Sequence, residues 1–504
     1  MTHWTRGGVI FAACLFASLP GEARDIHVAA AACPSNGTGT ATDPYCSLQD
    51  GVDAAVPGDV VRVAPGLYER RATRLVVVDG FEDTIEAALF MKDGVRLLGS
   101  GPGLSVLDAG GAGTVLVLDR CGAATAVSGF TLRRGGRGSA GGFDFADGLF
   151  VNEGSPMLAD LSVESIDGGF AAVDIFGPGT AVLERITVRD TGLAAPPVAA
   201  VLVSGGASPV IRSGVVTGNR GAECGGVLVQ DATATIENCL IARNQGAAGG
   251  GIRLVRAGAS AVAHCTVVAN TSGIAGAGLR IESSAPRVVG SIVVSNRSLS
   301  GLIGGVLADG TSTPVLAFND VFGNLEADYP SRIDPTGTDG NISLEPAFRD
   351  FQTLDLRLRE GSPAIDAAGP VHPADDLTGA RRPLDGDRSG TARADIGAVE
   401  FDRWEVRDLE AAPAPFAITW RTIGEASGYA LRRGSVRALP AGDFGNCLAI
   451  PDGRDVSRFE DPDIPSTGEA WIYIVAANVE GTFQTLGFDW SGIERIPRSG
   501  SGCP

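Results

Sequence analysis

The chain contains very few of the residues on which many catalytic and metal sites depend. Lysine occurs once, at Lys92, so any Schiff-base chemistry would have to use that residue. The 4 histidines are far apart in sequence, which makes a three-histidine zinc site unlikely to form. The sequence has no Walker P-loop, HExxH or GxSxG motif, so the chemistries typical of these motifs are not expected.

Basic residues of all kinds are outnumbered by acidic ones. Lys and Arg together number 40 against 59 Asp and Glu, a formal net charge of −19. This excess of acid argues against binding to nucleic acid or to anionic lipid. Beyond the N-terminus no apolar run reaches the roughly 18 residues of a membrane helix, and no membrane span is expected. We expect the protein to be a monomer.

The first 23 residues have the pattern of a secretory signal peptide. Arg6 precedes the apolar run VIFAACLFASLP, and GEA follows it before Arg24. This order predicts a signal peptide over residues 1–23, with lipid attachment at Cys14 as the less favoured alternative. We therefore expect a secreted protein, extracellular or at the cell surface, in which disulfides can form.

The cysteines divide into a close pair and scattered single residues. Cys33 and Cys46 bracket a Gly- and Thr-rich loop, and a bridge closing about 14 residues would restrict the unfolded chain by about 3 kcal/mol. Cys447 and Cys503 are a candidate second pair. The sequence gives no partner for Cys121 or Cys224.

A repeat of about 26 residues organises the middle of the chain. Each repeat ends in an asparagine, has a β-branched residue three positions earlier, and begins with a short alternating strand. The asparagines are Asn219, Asn244, Asn270, Asn296 and Asn324; the β-branched residues are Val216, Ile241, Val267, Val293 and Val321; the strands begin at Val201, Val227, Ile252, Leu279 and Val306. Alternation at period two with this recurrence predicts an all-β solenoid, a stack of about ten or eleven parallel coils. Asn tolerates tight bends, and its amide can bond to the next Asn in the stack.

The open end of such a stack requires a cap. Ser47 is a candidate N-cap residue, Asp50 follows three positions on, and Leu48, Val52 and Ala55 form an apolar face. These features predict a short capping helix over residues 47–55.

Two runs resemble known families. NGTGTATDPYCSLQDGVDAAVPGDVVRVAPGLYE resembles the N-terminal segment of secreted, pectate-lyase-like right-handed parallel β-helix proteins, and EGSPAIDAAG with DIGAVEF is similar to the C-terminal segment of the choice-of-anchor Q family. The resemblance covers residues 25 to 401. It implies a right-handed parallel β-helix over residues 24–358 and a choice-of-anchor Q-like capping segment over residues 359–402. It does not imply one particular function.

The last hundred residues differ in composition. Trp404, Trp420, Trp471 and Trp490 are four of the 5 tryptophans. Segments such as FAITW and WIYIVAANV alternate like strands, and the order of aromatics resembles a fibronectin type III-like module. We therefore expect a small β-sandwich over residues 403–504, with the aromatics in its core.

Outward positions of the repeat strands are the expected location of any site. The predicted outward rows are Asp174, Leu202, Leu228, Arg253, Arg280 and Leu307, then Phe176, Ser204, Gln230, Val255, Glu282 and Asp309. From these, the expected binding face is Arg253, Arg280, Glu282, Gln230 and Asp309, with an arginine–glutamate salt-bridge array as the structural alternative. Weak catalytic candidates are Asp144, Asp147 and Asp174 together with Arg253.

A second acidic group lies near the end of the solenoid. Asp385 and Asp387 have the spacing of oxygen ligands for calcium, and Asp366 and Asp395 are further candidates. The favoured alternative pairs Arg381 and Arg382 with Asp366 or Asp395, which would hold the segment in place.

Three functions are compatible with these features. The first is non-catalytic binding of a polysaccharide or cell-surface glycan. The second is a polysaccharide lyase or glycoside hydrolase acting on the exposed face, although no cluster of facing carboxylates is evident. The third is a structural spacer or adhesin shaft. Calcium, bound at the second acidic group, is the cofactor that the sequence would allow.

Overall fold

The computed structural model describes residues 23–136 and 147–402, and beyond them only the strands of the C-terminal region. The predicted signal peptide (except Ala23), Asp144 and Cys503 lie outside the described residues, so the predictions that involve them stay predictions. No helix in the described part of the chain has the length and hydrophobicity needed to cross a membrane.

The solenoid begins with a small cap. A 3₁₀ turn at Ala30–Ala32 follows the first strand, and helix α1 (Leu48–Ala54) precedes the second strand. Ser47 accepts a hydrogen bond from the Asp50 backbone N–H at 3.3 Å, which confirms the predicted N-cap. Leu48 and Val52 are buried against the first strands. The first strands are β1 (Asp25–Val28), β2 (Val60–Val63), β3 (Gly66–Tyr68), β4 (Ala72–Val78), β5 (Phe81–Phe90), β6 (Arg96–Leu98), β7 (Ser105–Asp108), β8 (Thr114–Asp119) and β9 (Ala126–Arg133).

The central coils consist of short strands separated by tight bends. They are β10 (Leu149–Asn152), β11 (Met157–Glu164), β12 (Ala171–Phe176), β13 (Val182–Glu184), β14 (Thr187–Arg189), β15 (Ala199–Ser204), β16 (Val210–Arg212), β17 (Val215–Thr217), β18 (Arg220–Gly221), β19 (Cys224–Gln230), β20 (Thr235–Glu237), β21 (Leu240–Ala242), β22 (Gln245–Gly246), β23 (Ile252–Val255), β24 (Ala261–Ala263) and β25 (Thr266–Val268).

The last coils and the segment after them follow the same pattern. They contain β26 (Thr271–Ser272), β27 (Leu279–Glu282), β28 (Arg287–Val289), β29 (Ile292–Val294), β30 (Arg297–Ser298), β31 (Val306–Ala308), β32 (Val315–Ala317), β33 (Asp320–Phe322), β34 (Phe348–Asp350) and β35 (Asp355–Leu358).

Each strand pairs in parallel with its equivalent in the neighbouring coil. One 10-stranded sheet, here called the face sheet, runs in the order β31-β27-β23-β19-β15-β12-β10-β8-β5-β4. All its neighbours are parallel except β4, which pairs antiparallel with β5. A 19-stranded sheet and a 4-stranded sheet (β18-β22-β26-β30) complete the described solenoid. The fold is an all-β parallel solenoid of about 8 turns, so the prediction of ten or eleven coils was too high.

The predicted columns are confirmed by the strand register. Val216 pairs with Ile241, and that column continues through Val267 and Val293. In the face sheet the inward column runs Val201, Val227, Ile252, Leu279, Val306. These side chains are buried, and burying an aliphatic side chain of this size contributes about 1.5–3 kcal/mol.

The asparagine column is a continuous hydrogen-bonded ladder. The Nδ2 of Asn244 donates to Oδ1 of Asn270 at 3.0 Å, and its backbone N–H donates to the same oxygen at 2.9 Å. The second Nδ2 hydrogen is donated to the carbonyl of Val216 at 2.9 Å. The pattern repeats from Asn219 to Asn324, where Oδ1 of Asp328 is the final acceptor at 2.8 Å. Every buried amide in the ladder is thereby satisfied.

The segment after the last coil, residues 348–402 and here called the lateral segment, folds back along the side of the solenoid. Its residues Leu356, Ile365 and Ile396 pack on outward side chains of β25 and β29, namely Val268 and Ile292. Buried Arg382 does not pair with Asp366: its Nη1 reaches the carbonyl of Asp395 at 3.1 Å, Nδ1 of His264 at 2.7 Å and Oε2 of Glu400 at 3.6 Å. Arg382 therefore anchors this segment, and of the two predicted partners it contacts Asp395, through the backbone carbonyl, and not Asp366.

The C-terminal region forms two further antiparallel sheets. Strands β36 (Arg407–Pro413), β37 (Phe416–Arg421), β38 (Ala426–Ser435), β39 (Asn446–Leu448), β40 (Arg458–Glu460), β41 (Trp471–Val479) and β42 (Thr482–Phe483) give sheets β36-β37-β40 and β39-β38-β41-β42. Buried Trp420 lies 5.6 Å from the ring of Tyr429. The small sheets are consistent with the predicted sandwich.

The cysteines behave as structural residues wherever they are described. Cys33 and Cys46 form the predicted disulfide. Cys121, Cys224, Cys239 and Cys265 are buried free thiols, and burial raises the pKa of Cys121 and of Cys224 to about 12. Such thiols are unreactive. The predicted pairing of Cys447 with Cys503 falls outside the described residues.

Candidate binding cleft

One wall of the candidate site is the β4–β5 hairpin. Its two-residue turn, Asp79-Gly80, has positive φ at both positions, 50° and 79°, as a type I′ hairpin turn requires. The hairpin packs over the outward face of the first coils, where Val76 and Ile85 cover Val117 and Phe150. The next coils of the face sheet are left uncovered, and a cleft opens there.

The floor of the cleft is the outward column of the face sheet. Phe150 pairs with Asp174, Asp174 with Leu202, and Leu202 with Leu228, so these side chains lie side by side. The resulting cavity, here called the apolar compartment, has a volume of about 430 Å³. Its apolar lining includes Phe81, Phe150, Phe170, Phe176, Leu202 and Leu228, and its polar lining is Asp79, Asp174, Ser204, Glu223 and Gln230.

Asp174 is a buried carboxyl in this aromatic surrounding. The residue is 4% exposed, and its Oδ1 has no hydrogen-bond partner among the described residues. Burial, with the charge of Asp147 as the second cause, raises the pKa of Asp174 well above its usual range. Both effects stabilise the neutral form of Asp174 relative to the ionised form.

Asp147 lies behind this floor and acts on it electrostatically. Its Oδ1 accepts hydrogen bonds from the backbone N–H groups of Phe170 and Ala171 at 3.2 and 2.9 Å, while its Oδ2 has no partner in the described chain. Burial raises the pKa of Asp147 to about 7. The structure thus brings two of the three predicted aspartates together.

Arg253, the fourth weak catalytic candidate, is occupied by ion pairs at the edge of the cleft. Its Nη1 contacts Oε2 of Glu223 at 2.8 Å, and its Nε contacts Oε2 of Glu282 at 2.8 Å. Arg280 contacts the other oxygen of Glu282 at 2.8 Å. Glu282 therefore pairs with both arginines, and the pKa of its carboxyl is lowered by these partners despite the opposing effect of burial.

The remaining predicted face residues have different surroundings. Gln230 lines the cleft. Asp309 instead accepts hydrogen bonds from Thr311 and Ser312 in the turn after β31, and these hydroxyl and backbone donors hold its pKa at about 2 against the effect of burial. The predicted outward register is thus observed, while the predicted face is divided between the cleft, an ion-pair network and a turn.

A second cavity of about 380 Å³ continues the first along the strand ends. The two cavities share Asp79, Phe176, Ser204 and Gln230 as lining residues, and the second adds Glu153 and Asp231. We call this region, bounded by Asp79, Glu153 and Asp231, the acidic compartment. The described lining of both compartments includes no Arg, Lys or His.

Sequence reasoning missed the hairpin and the residues that it places. The dipeptide Asp79-Gly80 between two alternating runs, ATRLVVV and FEDTIEAALF, is a strong hairpin signal. Applied to these residues, it would have predicted an antiparallel insertion next to the outward row. Phe150 and Glu223 could have been found only by extending the outward columns to neighbouring coils.

The predicted metal ligands form a compact group apart from the cleft. Ligand atoms of Asp366, Asp385 and Asp387 lie within 4.8 Å of one another. Asp366 accepts hydrogen bonds from the backbone N–H groups of Asp387 and Arg393 at 2.7 and 3.2 Å, and its pKa is raised chiefly by burial. Carboxylate oxygens suit a hard divalent cation such as calcium, so the donor set fits the predicted ion.

Comparison with known proteins agrees with the observed chain path. Residues 147–322 match the family model described as "Right handed beta helix region". The crystal structure of pectate lyase Pel9A is similar over 76% of this chain and 97% of that chain, with 13% sequence identity and a TM-score of 0.48. None of the curated proteins matches the chain. The solenoid is a right-handed parallel β-helix.

Proposed function

We propose that the protein binds a glycan chain in the cleft between the β4–β5 hairpin and the face sheet, without cleaving it. The observation that carries this proposal is Asp174, a buried carboxyl at the floor of an open, phenylalanine-lined cavity, one oxygen of which has no hydrogen-bond partner in the described part of the chain. A buried polar group without a partner is costly, and a bound ligand that exchanges hydrogen bonds with it removes that cost.

The other lining residues support a sugar as the ligand. Phenylalanine rings offer flat apolar surfaces that suit the C–H faces of sugar rings, while Ser204, Gln230 and Asp174 offer hydrogen bonds to hydroxyl groups. The rigid solenoid holds these groups in place before binding, so little conformational entropy is lost on association.

The proposal is tested by titrating the full chain with a panel of neutral, acidic and amino oligosaccharides, using calorimetry. We expect Phe176→Ala and Asp174→Asn each to weaken binding about tenfold or more. Phe351→Ala is the matched control, since Phe351 packs on the lateral segment instead of the cleft. Failure of every glycan to bind the wild type would refute the proposal.

Hydrolysis of a glycosidic bond is a second candidate, and one observation favours it. Asp174, whose pKa is raised by burial, and Glu223 line the same cavity, and a pair of carboxyl groups is what glycoside hydrolases use. New reducing ends formed by the wild type but not by Asp174→Asn or Glu223→Gln would establish it. For a lyase, the described lining offers no arginine or lysine as the base.

The domain scheme and location are proposed with the function. We propose that residues 1–23 are a signal peptide, that residues 359–402 are a choice-of-anchor Q-like segment, and that residues 403–504 are a fibronectin type III-like module on a secreted or surface-attached protein. The Cys33–Cys46 disulfide supports an oxidising location, and sheets of three and four strands support the module. N-terminal sequencing of the exported protein tests the first point: cleavage near Ala23 is expected, and an intact N-terminus would contradict it.

A further inference from the structure

The cleft has two ends of different chemistry. The apolar compartment contains the phenylalanines and Asp174, and the acidic compartment adds Glu153 and Asp231 at the strand ends. Since Asp79, Phe176, Ser204 and Gln230 line both cavities, a chain bound over the phenylalanines continues into the acidic compartment.

Negative charge exceeds positive charge around the acidic compartment. Glu153 pairs with Nε of Arg120 at 3.1 Å, and Asp231 pairs with Arg256 at 2.5 and 2.6 Å. Arg120 also lies 3.8 Å from Asp119. The fourth carboxylate, Asp79, is exposed at the hairpin tip and has no ion-pair partner among the described residues.

These charges decide which ligands the compartment accepts. Three of these four carboxylates, Asp79, Glu153 and Asp231, line the compartment, and the two nearby guanidiniums are already engaged by carboxylates. A uronate or sulfate group placed there would meet net repulsion within the roughly 8–10 Å range over which charges act at physiological salt. A cationic group of a ligand could form an ion pair with Asp79.

The floor of the cleft independently requires hydrogen bonds from a ligand. Asp174 is 4% exposed, it lines the adjoining apolar compartment, and its Oδ1 receives no hydrogen bond from any described residue. Hydroxyl and amino groups can donate to this oxygen, whereas an ionised carboxylate or sulfate group cannot.

We propose that the cleft is selective for an amino-bearing glycan, in which a sugar ring packs on the phenylalanines beside Asp174 and a neighbouring ring places its protonated amino group in the acidic compartment against Asp79. This inference rests on the proposed glycan binding and names its ligand class. Polyuronates are excluded from the same cleft by its charge.

The test compares three oligosaccharides of equal length on the full chain, at a pH below the pKa of the sugar amine. The probes are a β-1,4-linked glucosamine oligomer, its N-acetylated form and an oligogalacturonate. We expect the glucosamine oligomer to bind about tenfold more tightly than the acetylated form, with affinity that decreases as salt is added, and the oligogalacturonate not to bind.

The variant Asp79→Asn separates the charge from the rest of the site. It is expected to reduce the preference for the amine over the acetylated form to about twofold or less. Glu82→Gln is the matched control, because Glu82 is an exposed acid on the same hairpin outside the cleft lining; it should retain the full preference.

The outcomes distinguish the two proposals. Equal affinity for the amine and the acetylated form, or tightest binding to the oligogalacturonate, would overturn the charge inference while glycan binding stands. The absence of binding by all three probes and by the wider panel would refute glycan binding itself.

Discussion

Asp147→Asn provides the sharpest test of the electrostatics beneath the cleft. An unfolded aspartate titrates at about 3.9, whereas burial raises the pKa of Asp147 in the folded protein to about 7. As the pH rises between these values, the unfolded chain releases this proton and the folded chain retains it. The free energy of unfolding therefore falls as the pH rises across this range. Below the range, Asp147 is protonated in both the folded and the unfolded chain and causes no pH dependence.

The magnitude of the effect follows from the same pKa difference. One pKa unit corresponds to about 1.4 kcal/mol, so Asp147 costs the folded state up to about 4 kcal/mol above pH 7. Asparagine cannot ionise, and its oxygen can keep the hydrogen bonds from Phe170 and Ala171. Its amide would occupy the place of an oxygen that already lacks a partner. We expect Asp147→Asn to match the wild type at about pH 4 and to exceed it at about pH 8.

Urea unfolding monitored by circular dichroism at both pH values measures this difference. Asp320→Asn is the matched control: Asp320 accepts one backbone hydrogen bond, from Leu344 at 3.0 Å, its Oδ2 has no partner in the described chain, and its pKa is raised to about 7 by burial. It lies outside the described cleft lining. Both variants should gain stability at high pH.

Ligand binding should separate the two variants. The charge of Asp147 is the second cause of the raised pKa of Asp174, so Asp147→Asn should move the pH midpoint of glycan binding downward, and Asp320→Asn should leave it unchanged. If Asp147→Asn and the wild type lost stability in parallel between the two pH values, Asp147 would not be a neutral buried carboxyl, and the reasoning about the cleft floor would fail.

Two further predictions concern other parts of the molecule. Asn270→Ala removes four side-chain hydrogen bonds of the buried ladder and should destabilise the solenoid by about 4 kcal/mol. Gln245→Ala, at an exposed neighbouring position, should leave the urea midpoint unchanged. Equal midpoints for both variants would refute the role of the ladder. Calcium should raise the melting temperature of the wild type but not of Asp385→Asn, since Asp385 completes the cluster with Asp366 and Asp387, and no change in the wild type would remove the metal site.

The repeat made the coils predictable from sequence. Parallel strands in adjacent coils lie about 4.8 Å apart with equivalent residues in register, so side chains such as Val216 and Ile241 recur at a fixed interval and stack in the structure. The outward row through Asp174 and Arg253 could be predicted for the same reason. Periodicity therefore determined register and which side each residue faces.

Periodicity could not predict an element that occurs once. The β4–β5 hairpin interrupts the repeat, and whether Asp174 is exposed or buried depends on this insertion and on the phenylalanines beside it. The Asp79-Gly80 dipeptide, which adopts the positive φ angles of a hairpin turn, was the feature of the sequence that could have predicted the hairpin.

The partners of Arg382 were not predictable from sequence distance. The lateral segment returns to three successive coils, so Arg382 meets His264, a residue more than a hundred positions away in sequence. Burial and the adjacent guanidinium lower the pKa of His264 to about 3. Such contacts depend on how a non-repeating segment folds over a repeating surface.

The direction of the asparagine ladder has a consequence for how this molecule could lengthen in evolution. Each asparagine donates one Nδ2 hydrogen to the side-chain oxygen of the next asparagine and accepts at its own oxygen from the preceding one. Duplicating an internal repeat therefore inserts a unit that can bond to its neighbours on both sides. Asp328, which ends the series, accepts a hydrogen bond through its carboxylate oxygen, and an ionised carboxylate has no hydrogen to donate to a further unit. Gene duplication within the series is therefore permitted by its chemistry, whereas growth beyond Asp328 first requires replacing that carboxylate with an amide.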